Sequence, residues 1–125
     1  MVKHKMGHIP FWAPPGGGIE FGETVEDTLK REFLEETGLS IEIVKFQFGC
    51  EFIMPPLHAI ELFYEVKAVS GTLAAGNDPE LQIIEKVQFL SFNEILQLPS
   101  ESAHGIFRLS KNAVSLRQMT GFYRI

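Results

Sequence analysis

The sequence has little cysteine, no long apolar run and no cluster of basic residues. Its single cysteine, Cys50, excludes an internal disulfide and a cysteine-based zinc site, and is typical of a reducing compartment. No apolar run approaches the roughly 18 residues of a membrane span, and residues 1–5 lack the apolar stretch of a signal peptide. These absences predict a cytoplasmic protein with no membrane partner.

The charge balance excludes another class of partner. With 11 Lys and Arg against 16 Asp and Glu, the formal net charge is −5, and the sequence pI is about 5.3. Binding to a nucleic acid polymer needs clustered basic side chains, and here they are scattered. No nucleic acid partner is therefore expected. A small phosphorylated substrate stays compatible, because a bound divalent cation can supply positive charge locally.

The chain length predicts one domain, residues 1–125, with a single modest core. The strongest break is at residues 14–18, where two prolines precede three glycines and form a loop that other groups can approach closely. Strands are predicted around residues 8–12, 41–54, 57–69 and 87–92, and helices over 24–38, 93–98 and 104–119. Strands interleaved with helices predict an α/β or α+β layered domain.

Local signals define the helix TVEDTLKREFLEETGL at residues 24–39. Thr24 is an N-cap candidate with Asp27 three residues later, as in a capping box. Glu26 and Asp27 lie in the first turn, where the helix dipole favours acidic residues. Gly38 is the natural residue to end the helix.

Two carboxylates interrupt the face of this helix that should be buried. The apolar stripe consists of Val25, Leu29 and Phe33. At about 100° per residue, Glu32 and Glu36 project from the same side and Glu35 lies beside them. Like charges at this spacing cost roughly 0.2–0.5 kcal/mol per pair, and burial adds a much larger desolvation cost. A hard divalent cation bound between the carboxylates would make their arrangement favourable. Ligation by oxygen alone indicates Mg²⁺ or Mn²⁺. The alternative is an ordinary solvated face with Lys30 and Arg31 as ion-pair partners.

The same segment resembles the Nudix box, G-x5-E-x7-R-E-U-x-E-E-x-G-U, in which U is a bulky apolar residue. The fixed positions are Gly17, Glu23, Arg31, Glu32, Glu35, Glu36 and Gly38, with Phe33 and Leu39 at the apolar positions. Seven fixed residues at fixed spacing form a strong signature, unlike a lone glycine motif. Outside the box the resemblance is looser but covers most of the chain. It implies a Nudix-like α/β/α sandwich with a mixed β-sheet.

The resemblance also implies an activity and a role for each residue of the box. The activity is hydrolysis of a nucleoside diphosphate linked to another moiety, by attack of water on phosphorus. Glu32, Glu35 and Glu36 would bind the metal, with a backbone carbonyl of Gly16 or Gly17 completing the ligands. Arg31 and Glu23 would pair and orient these carboxylates.

The general base that deprotonates the attacking water has three candidates. Glu35 is one, and a glutamate from the loop before the last strand, Glu80 or Glu85, is the other possibility. Both of the latter also fit a description as solvated loop residues. The resemblance does not choose among the three, because members of the family differ in which carboxylate takes this part.

Substrate identity rests on weaker signals. Pro55 and Pro56 stand about where some ADP-ribose-cleaving relatives carry a proline, which favours ADP-ribose-like nucleotide sugars slightly over nucleoside triphosphates. The rival from another class is a Nudix-like module that senses a nucleotide without cutting it. Such modules usually lose box glutamates, and this chain keeps them all.

Several expectations concern residues outside the box. Members of the family usually carry more apolar residues before a strand such as residues 2–5, so we expect a shortened first strand whose unpaired edge favours a homodimer. His58, which alternates with apolar residues in 57–69, is expected in the core or sheet, and His104 at the surface. Cys50 is expected to be a small buried apolar residue. The aromatic residues Trp12, Phe122 and Tyr123 are expected in the core rather than stacked on a base.

Overall fold

The computed structural model describes residues 1–6, 9–76 and 84–125, apart from the side chain of Met6. The strands are β1 (Val2–Met6), β2 (Ile9–Ala13), β3 (Leu39–Met54), β4 (Leu57–Gly71), β5 (Ile84–Val87) and β6 (Phe122–Arg124). The α-helices are α1 (Val25–Thr37), α2 (Phe92–Leu96) and α3 (Ala113–Gln118), and two 3-10 helices span Ser100–Ser102 and Gly105–Arg108. Within this part of the chain, no helix is long and apolar enough to cross a membrane.

The strands form two sheets. The first has the order β2-β1-β5 and is antiparallel throughout. The second has the order β4-β3-β6, with β3 antiparallel to β4 and parallel to β6. The predicted α+β class and the mixed sheet are thus confirmed.

The core lies on one face of the second sheet. Phe48 and Cys50 of β3 contact the segment that runs from α2 through the 3-10 helices. Phe63 of β4 stacks on Phe48 with ring centroids 5.3 Å apart, and Tyr123 of β6 meets the same ring edge-on at 5.9 Å. Cys50 is fully buried, and burial raises the pKa of its thiol to about 11. It is therefore the small buried apolar residue expected from the sequence.

The first strand is longer and better paired than the sequence predicts. Residues 2–6 carry few apolar side chains, yet they form β1, which lies between β2 and β5 and is paired on both sides. Val2 is fully buried and His4 is 4% exposed. The expected unpaired edge at this strand is therefore wrong, because burial and pairing come from neighbours that are distant in sequence.

The C-terminal third differs most from expectation. The predicted helix over 104–119 is wrong: a 3-10 helix ends at Arg108, and α3 begins only after Asn112, whose side chain accepts from the Ser115 N–H at 2.8 Å. The predicted strand over 87–92 is wrong as well. The strand ends at Val87, and Ser91 caps α2 with a capping box to Glu94. Strand β6 was not predicted.

Apolar side chains alternate along β4 as predicted, but the face that carries Ile60 and Leu62 does not face the core. His58 is exposed and pairs with Glu51 at 2.7 Å, while Ile60 is 66% and Leu62 is 44% exposed. The opposite face carries Phe63 into the core. His58 is thus a sheet residue, as expected, but not a core residue.

In contrast, His104 is nearly buried, since its side chain is 14% exposed and its Nε2 lies 3.1 Å from a Glu61 carboxylate oxygen. Its expected place at the surface is wrong.

Candidate active site

Helix α1 presents the predicted carboxylates, and both of its ends form as the sequence indicated. Thr24 is the N-cap, and its side chain accepts from the Asp27 N–H at 3.1 Å. Gly38 ends the helix with φ 75°, a left-handed conformation that a side chain would strain. These two ends fix which residues of the helix face inward.

Glu36 and Glu32 are the buried carboxylates of this helix. Glu36 is 1% exposed, and its Oε1 accepts a hydrogen bond from the Gly16 N–H at 2.8 Å. Glu32 is 3% exposed and lies against Gly17, where an added Cβ would collide with the Glu32 carboxylate. The proline- and glycine-rich loop therefore lies directly on the acidic face of α1. A side chain at position 17 would push the Glu32 carboxylate out of this place, so the glycine lets Glu32 lie against the loop.

Arg31 joins the remaining acidic residues. Its Nε and Nη2 donate to the two carboxylate oxygens of Glu23 at 2.8 and 2.9 Å, and Nη2 also donates to the Gly18 carbonyl at 3.2 Å. Its Nη1 donates to Glu32 at 2.9 Å and to Glu35 at 3.2 Å. This pairing raises the pKa of Arg31 still further. The hydrogen bond from Arg31 is also the main reason that the pKa of Glu23 falls to about 2.

Glu23 is held by more than Arg31. The Glu20 N–H donates to the Glu23 carboxylate at 3.0 Å. The Thr28 hydroxyl lies 3.2 Å from the same carboxylate and 3.0 Å from the Thr24 carbonyl, and shares its one hydrogen between them. Thr28 is 4% exposed, and its place beside Glu23 is not apparent from the sequence. A threonine inside a helix gives no signal that distinguishes a neighbour of a loop carboxylate from an ordinary helix residue.

The segment after β4 closes the C-terminal end of α1. The Ala74 N–H donates to the Thr37 carbonyl at 2.9 Å, and the Gly76 N–H donates to the Glu36 carbonyl at 3.1 Å. A Cβ on Gly76 would collide with the Glu35 carbonyl. This glycine was missed as well, because its role depends on the return of the chain to the helix end.

The donor set suits a hard divalent cation. Glu32, Glu35 and Glu36 offer only carboxylate oxygens, and the nearby loop adds backbone carbonyls, which are the ligands that Mg²⁺ and Mn²⁺ prefer. In the described ranges, no three His, Cys, Asp or Glu side chains are already gathered around one point as a metal cage. Instead, Arg31 Nη1 draws Glu32 and Glu35 together. The oxygen donors therefore fit a cation of this kind. In this structure the charges of Glu32 and Glu35 are balanced by Arg31.

Of the other two base candidates, the structure describes only Glu85, which lies outside this network. Glu85 lies in β5 and pairs with Lys3 at 3.3 Å, so it is a strand residue rather than a loop residue. Glu80 lies outside the described residues. Glu35 has a half-exposed side chain, 39% accessible, at the open side of the carboxylate group.

Comparison with known proteins gives consistent results. The model of the NUDIX domain matches residues 1–109. An ADP-ribose pyrophosphatase of Methanocaldococcus jannaschii is 36% identical over 104 residues, which is 78% of this chain and 57% of that protein. An m7GpppN-mRNA hydrolase, NUDT17, of Danio rerio is 38% identical over 76 residues, 58% of this chain and 25% of its own. The chain thus spans 57% or less of the length of these two relatives.

A solved structure shares the fold. A UDP-X diphosphatase superposes with a TM-score of 0.66 at 19% identity, covering 98% of this chain and 59% of that one. At this identity the likeness concerns the fold alone.

Proposed function

The chain belongs to the Nudix family, and on that premise we propose that it hydrolyses a pyrophosphate bond in a nucleoside diphosphate linked to another moiety, with Mg²⁺ as cofactor and Mn²⁺ as a substitute. Membership of the family and the Nudix-like fold, both predicted from the sequence, are confirmed. The observation that carries the proposal is the pair of buried carboxylates, Glu32 and Glu36, facing a glycine loop. Two such charges on one helix face are costly unless a cation binds them.

Each residue of the site has a proposed role. Glu32, Glu35 and Glu36 bind the metal, and a carbonyl of Gly16 or Gly17 completes the ligands. Glu23 and Arg31 position these carboxylates, because the Arg31 guanidinium contacts Glu23 on one edge and Glu32 and Glu35 on the other. The loop glycines also let the diphosphate approach the backbone closely.

The proposed reaction is attack of water on phosphorus. When bound, the cation would neutralise the charge that develops on the phosphate oxygens and make the attacking water more acidic. The water oxygen forms a bond to phosphorus in line with the bridging oxygen, whose bond to that phosphorus breaks. Glu35 is the favoured base, because it lies on α1 and shares the Arg31 Nη1 with the buried Glu32, whereas Glu85 lies on β5 and pairs with Lys3.

ADP-ribose-like nucleotide sugars are the favoured substrates, with nucleoside triphosphates as the second class. The archaeal relative carries the name ADP-ribose pyrophosphatase. That name describes cleavage within a nucleoside diphosphate derivative. Pro55 and Pro56 form the turn between β3 and β4, about where some ADP-ribose-cleaving relatives carry a proline, and give weaker support to the same class.

A panel assay tests the proposal. The protein is incubated with Mg²⁺ and ADP-ribose, UDP-sugars or nucleoside triphosphates, and the release of mononucleotide and phosphate is followed. We expect turnover on a nucleoside diphosphate derivative, with release of a mononucleotide and a sugar phosphate. Tight binding without turnover on every member of the panel would instead favour a nucleotide sensor.

We also propose that the chain forms a homodimer, although not through β1. The outer face of the second sheet exposes Ile60 at 66% and Phe122 at 57%, and Leu62 lies beside Phe122 across Gly49. Apolar patches of roughly 300–600 Å² often mark interaction surfaces. Sedimentation equilibrium should show a dimer that Ile60→Lys weakens, whereas Val114→Lys, at an exposed position of α3, should not. A monomeric unchanged protein would contradict the dimer.

A further inference from the structure

One guanidinium contacts three carboxylates of the site. The Nε and Nη2 edge of Arg31 contacts both oxygens of Glu23. The remaining nitrogen, Nη1, donates to Glu32 at 2.9 Å and to Glu35 at 3.2 Å. Different atoms of the guanidinium therefore make the two sets of contacts. One edge anchors the side chain to Glu23, and Nη1 bridges two carboxylates of the proposed metal site.

The bridging nitrogen and a divalent cation compete for the same carboxylates. Both need oxygens of Glu32 and Glu35, and the two positive charges repel each other. We propose that Arg31 is the internal counter-cation of the metal-free site, and that it yields Glu32 and Glu35 to the metal while it stays bound to Glu23. This inference rests on the proposed function, because it takes the metal to bind at these carboxylates.

The surroundings of Glu23 make such an exchange feasible. Glu23 accepts from the Glu20 N–H and lies within hydrogen-bond distance of the Thr28 hydroxyl, and neither contact depends on Arg31. After Nη1 is released, Arg31 still keeps its two bonds to Glu23 and the bond to the Gly18 carbonyl. An arginine stays charged at any relevant pH, so the exchange replaces hydrogen bonds and involves no proton.

This role and a purely orienting role predict opposite effects on metal affinity. If Arg31 only holds the carboxylates in place, removing it loosens the ligands and weakens metal binding. If Arg31 occupies the site, its removal leaves the metal without a competitor and binding becomes tighter. In the second case the metal-free protein also loses the charge that neutralises Glu32 and Glu35, so it becomes less stable while the metal stabilises it more.

The first experiment measures binding of Mn²⁺ alone, by electron paramagnetic resonance and calorimetry, without any nucleotide. The variants are Arg31→Gln and, as control, Lys30→Gln, which removes the same charge from a neighbouring exposed side chain of α1. We expect Arg31→Gln to bind Mn²⁺ about threefold or more tightly than the unchanged protein, with a lower metal-free Tm and a larger rise in Tm on adding Mn²⁺. Lys30→Gln should leave affinity within about twofold. Weaker binding by Arg31→Gln would overturn the inference.

A second measurement needs no variant of Arg31. In protein labelled with ¹⁵N-arginine, the Nη1 and Nε signals of Arg31 are followed during a Mg²⁺ titration. We expect the Nη1 signal to change as Glu32 and Glu35 are released, while the Nε signal keeps the shift and the slow exchange of a nitrogen bonded to Glu23. Saturation with Mg²⁺ that leaves Nη1 unchanged would overturn the inference, even if Arg31→Gln fails to fold.

Failure of the inference and failure of the proposed function give different results. Metal binding and turnover together with weaker binding by Arg31→Gln would reject the exchange and keep the hydrolase. Absence of Mn²⁺ binding in the unchanged protein, with no turnover on the nucleotide panel, would reject both.

Discussion

Arg31 and Glu23 form a bidentate ion pair, in which Nε and Nη2 of the guanidinium each donate to a different oxygen of the carboxylate, at 2.8 and 2.9 Å. The residues are eight apart in sequence, one in the loop and one in α1, so the pair fixes the loop to the helix that carries the acidic group. The pair was predicted from the sequence, while its orienting role stays a prediction. Its electrostatic consequence can be tested directly.

The stability of the protein should depend on pH through Glu23. The pKa of Glu23 lies below its ordinary value of 4.5, at about 2, so its charge stabilises the fold at pH values above 4.5. This contribution is lost as the pH falls from about 4.5 towards about 2. We expect Glu23→Gln to lower Tm at pH 6 and the difference from the unchanged protein to be much smaller at pH 2, because the contribution is lost as the pH falls through the pKa of about 2. A Tm difference that is equal at pH 6 and pH 2 would contradict this cause.

Glu36→Gln should abolish turnover and leave the fold intact. Glutamine keeps the shape and can still accept from the Gly16 N–H, but it removes a buried charge that the proposed metal needs. We expect turnover to fall by at least about 10²-fold, the loss that misplacing a reacting group by about 1 Å can already cause. The metal-free Tm should stay equal or rise, because a buried charge is removed. The control is Glu42→Gln at an exposed position of β3, and equal activity of both variants would count against the site.

Gly17→Ala should affect catalysis more than stability. The new methyl group would collide with the Glu32 carboxylate, which is the flexible end of a side chain and can move aside. Displacing a metal ligand by about 1 Å is expected to cost about 10²-fold in turnover, with a Tm change of only a few degrees. Ile19→Ala, in the same loop with an exposed side chain, should retain activity. Full activity of Gly17→Ala would show that Glu32 need not lie against the loop.

Gly76→Ala should act on stability. The added Cβ would meet the carbonyl of Glu35, and a backbone atom cannot move as a side chain does. Overpacking of this kind costs about 1–3 kcal/mol in the free energy of unfolding, which urea denaturation measures. Ala75→Ser, at the exposed neighbouring position, should change it by less than about 0.5 kcal/mol. Equal stability of both variants would mean that the segment after β4 does not close α1 as described.

The parts of the molecule that could be predicted are those with local signals. Thr24 and Gly38 mark the ends of α1 within the sequence itself, and the spacing of Glu32 and Glu36 places them on the inner face. Strand β1 could not be predicted in full, because few of its side chains are apolar and its stability comes from pairing with β2 and β5. The contact of Gly76 with the end of α1 depends in the same way on where the chain returns.

The C-terminal third shows the same limit from another side. The sequence over 104–119 contains enough apolar residues for one helix, but Gly105 and Asn112 begin two shorter elements instead. The pairing of His104 with Glu61 joins residues far apart in the chain and is set by packing around Phe63. Periodicity describes one element at a time, so it gives no information about such partners.

The most direct test of the proposed metal site is a crystal structure with Mn²⁺ and a non-hydrolysable analogue of ADP-ribose, with the metal located by its anomalous scattering. We expect an anomalous peak within about 2.5 Å of carboxylate oxygens of α1, including Glu36, and in contact with the diphosphate. A nucleotide bound with its metal elsewhere, and Glu32, Glu35 and Glu36 without any ion, would contradict it.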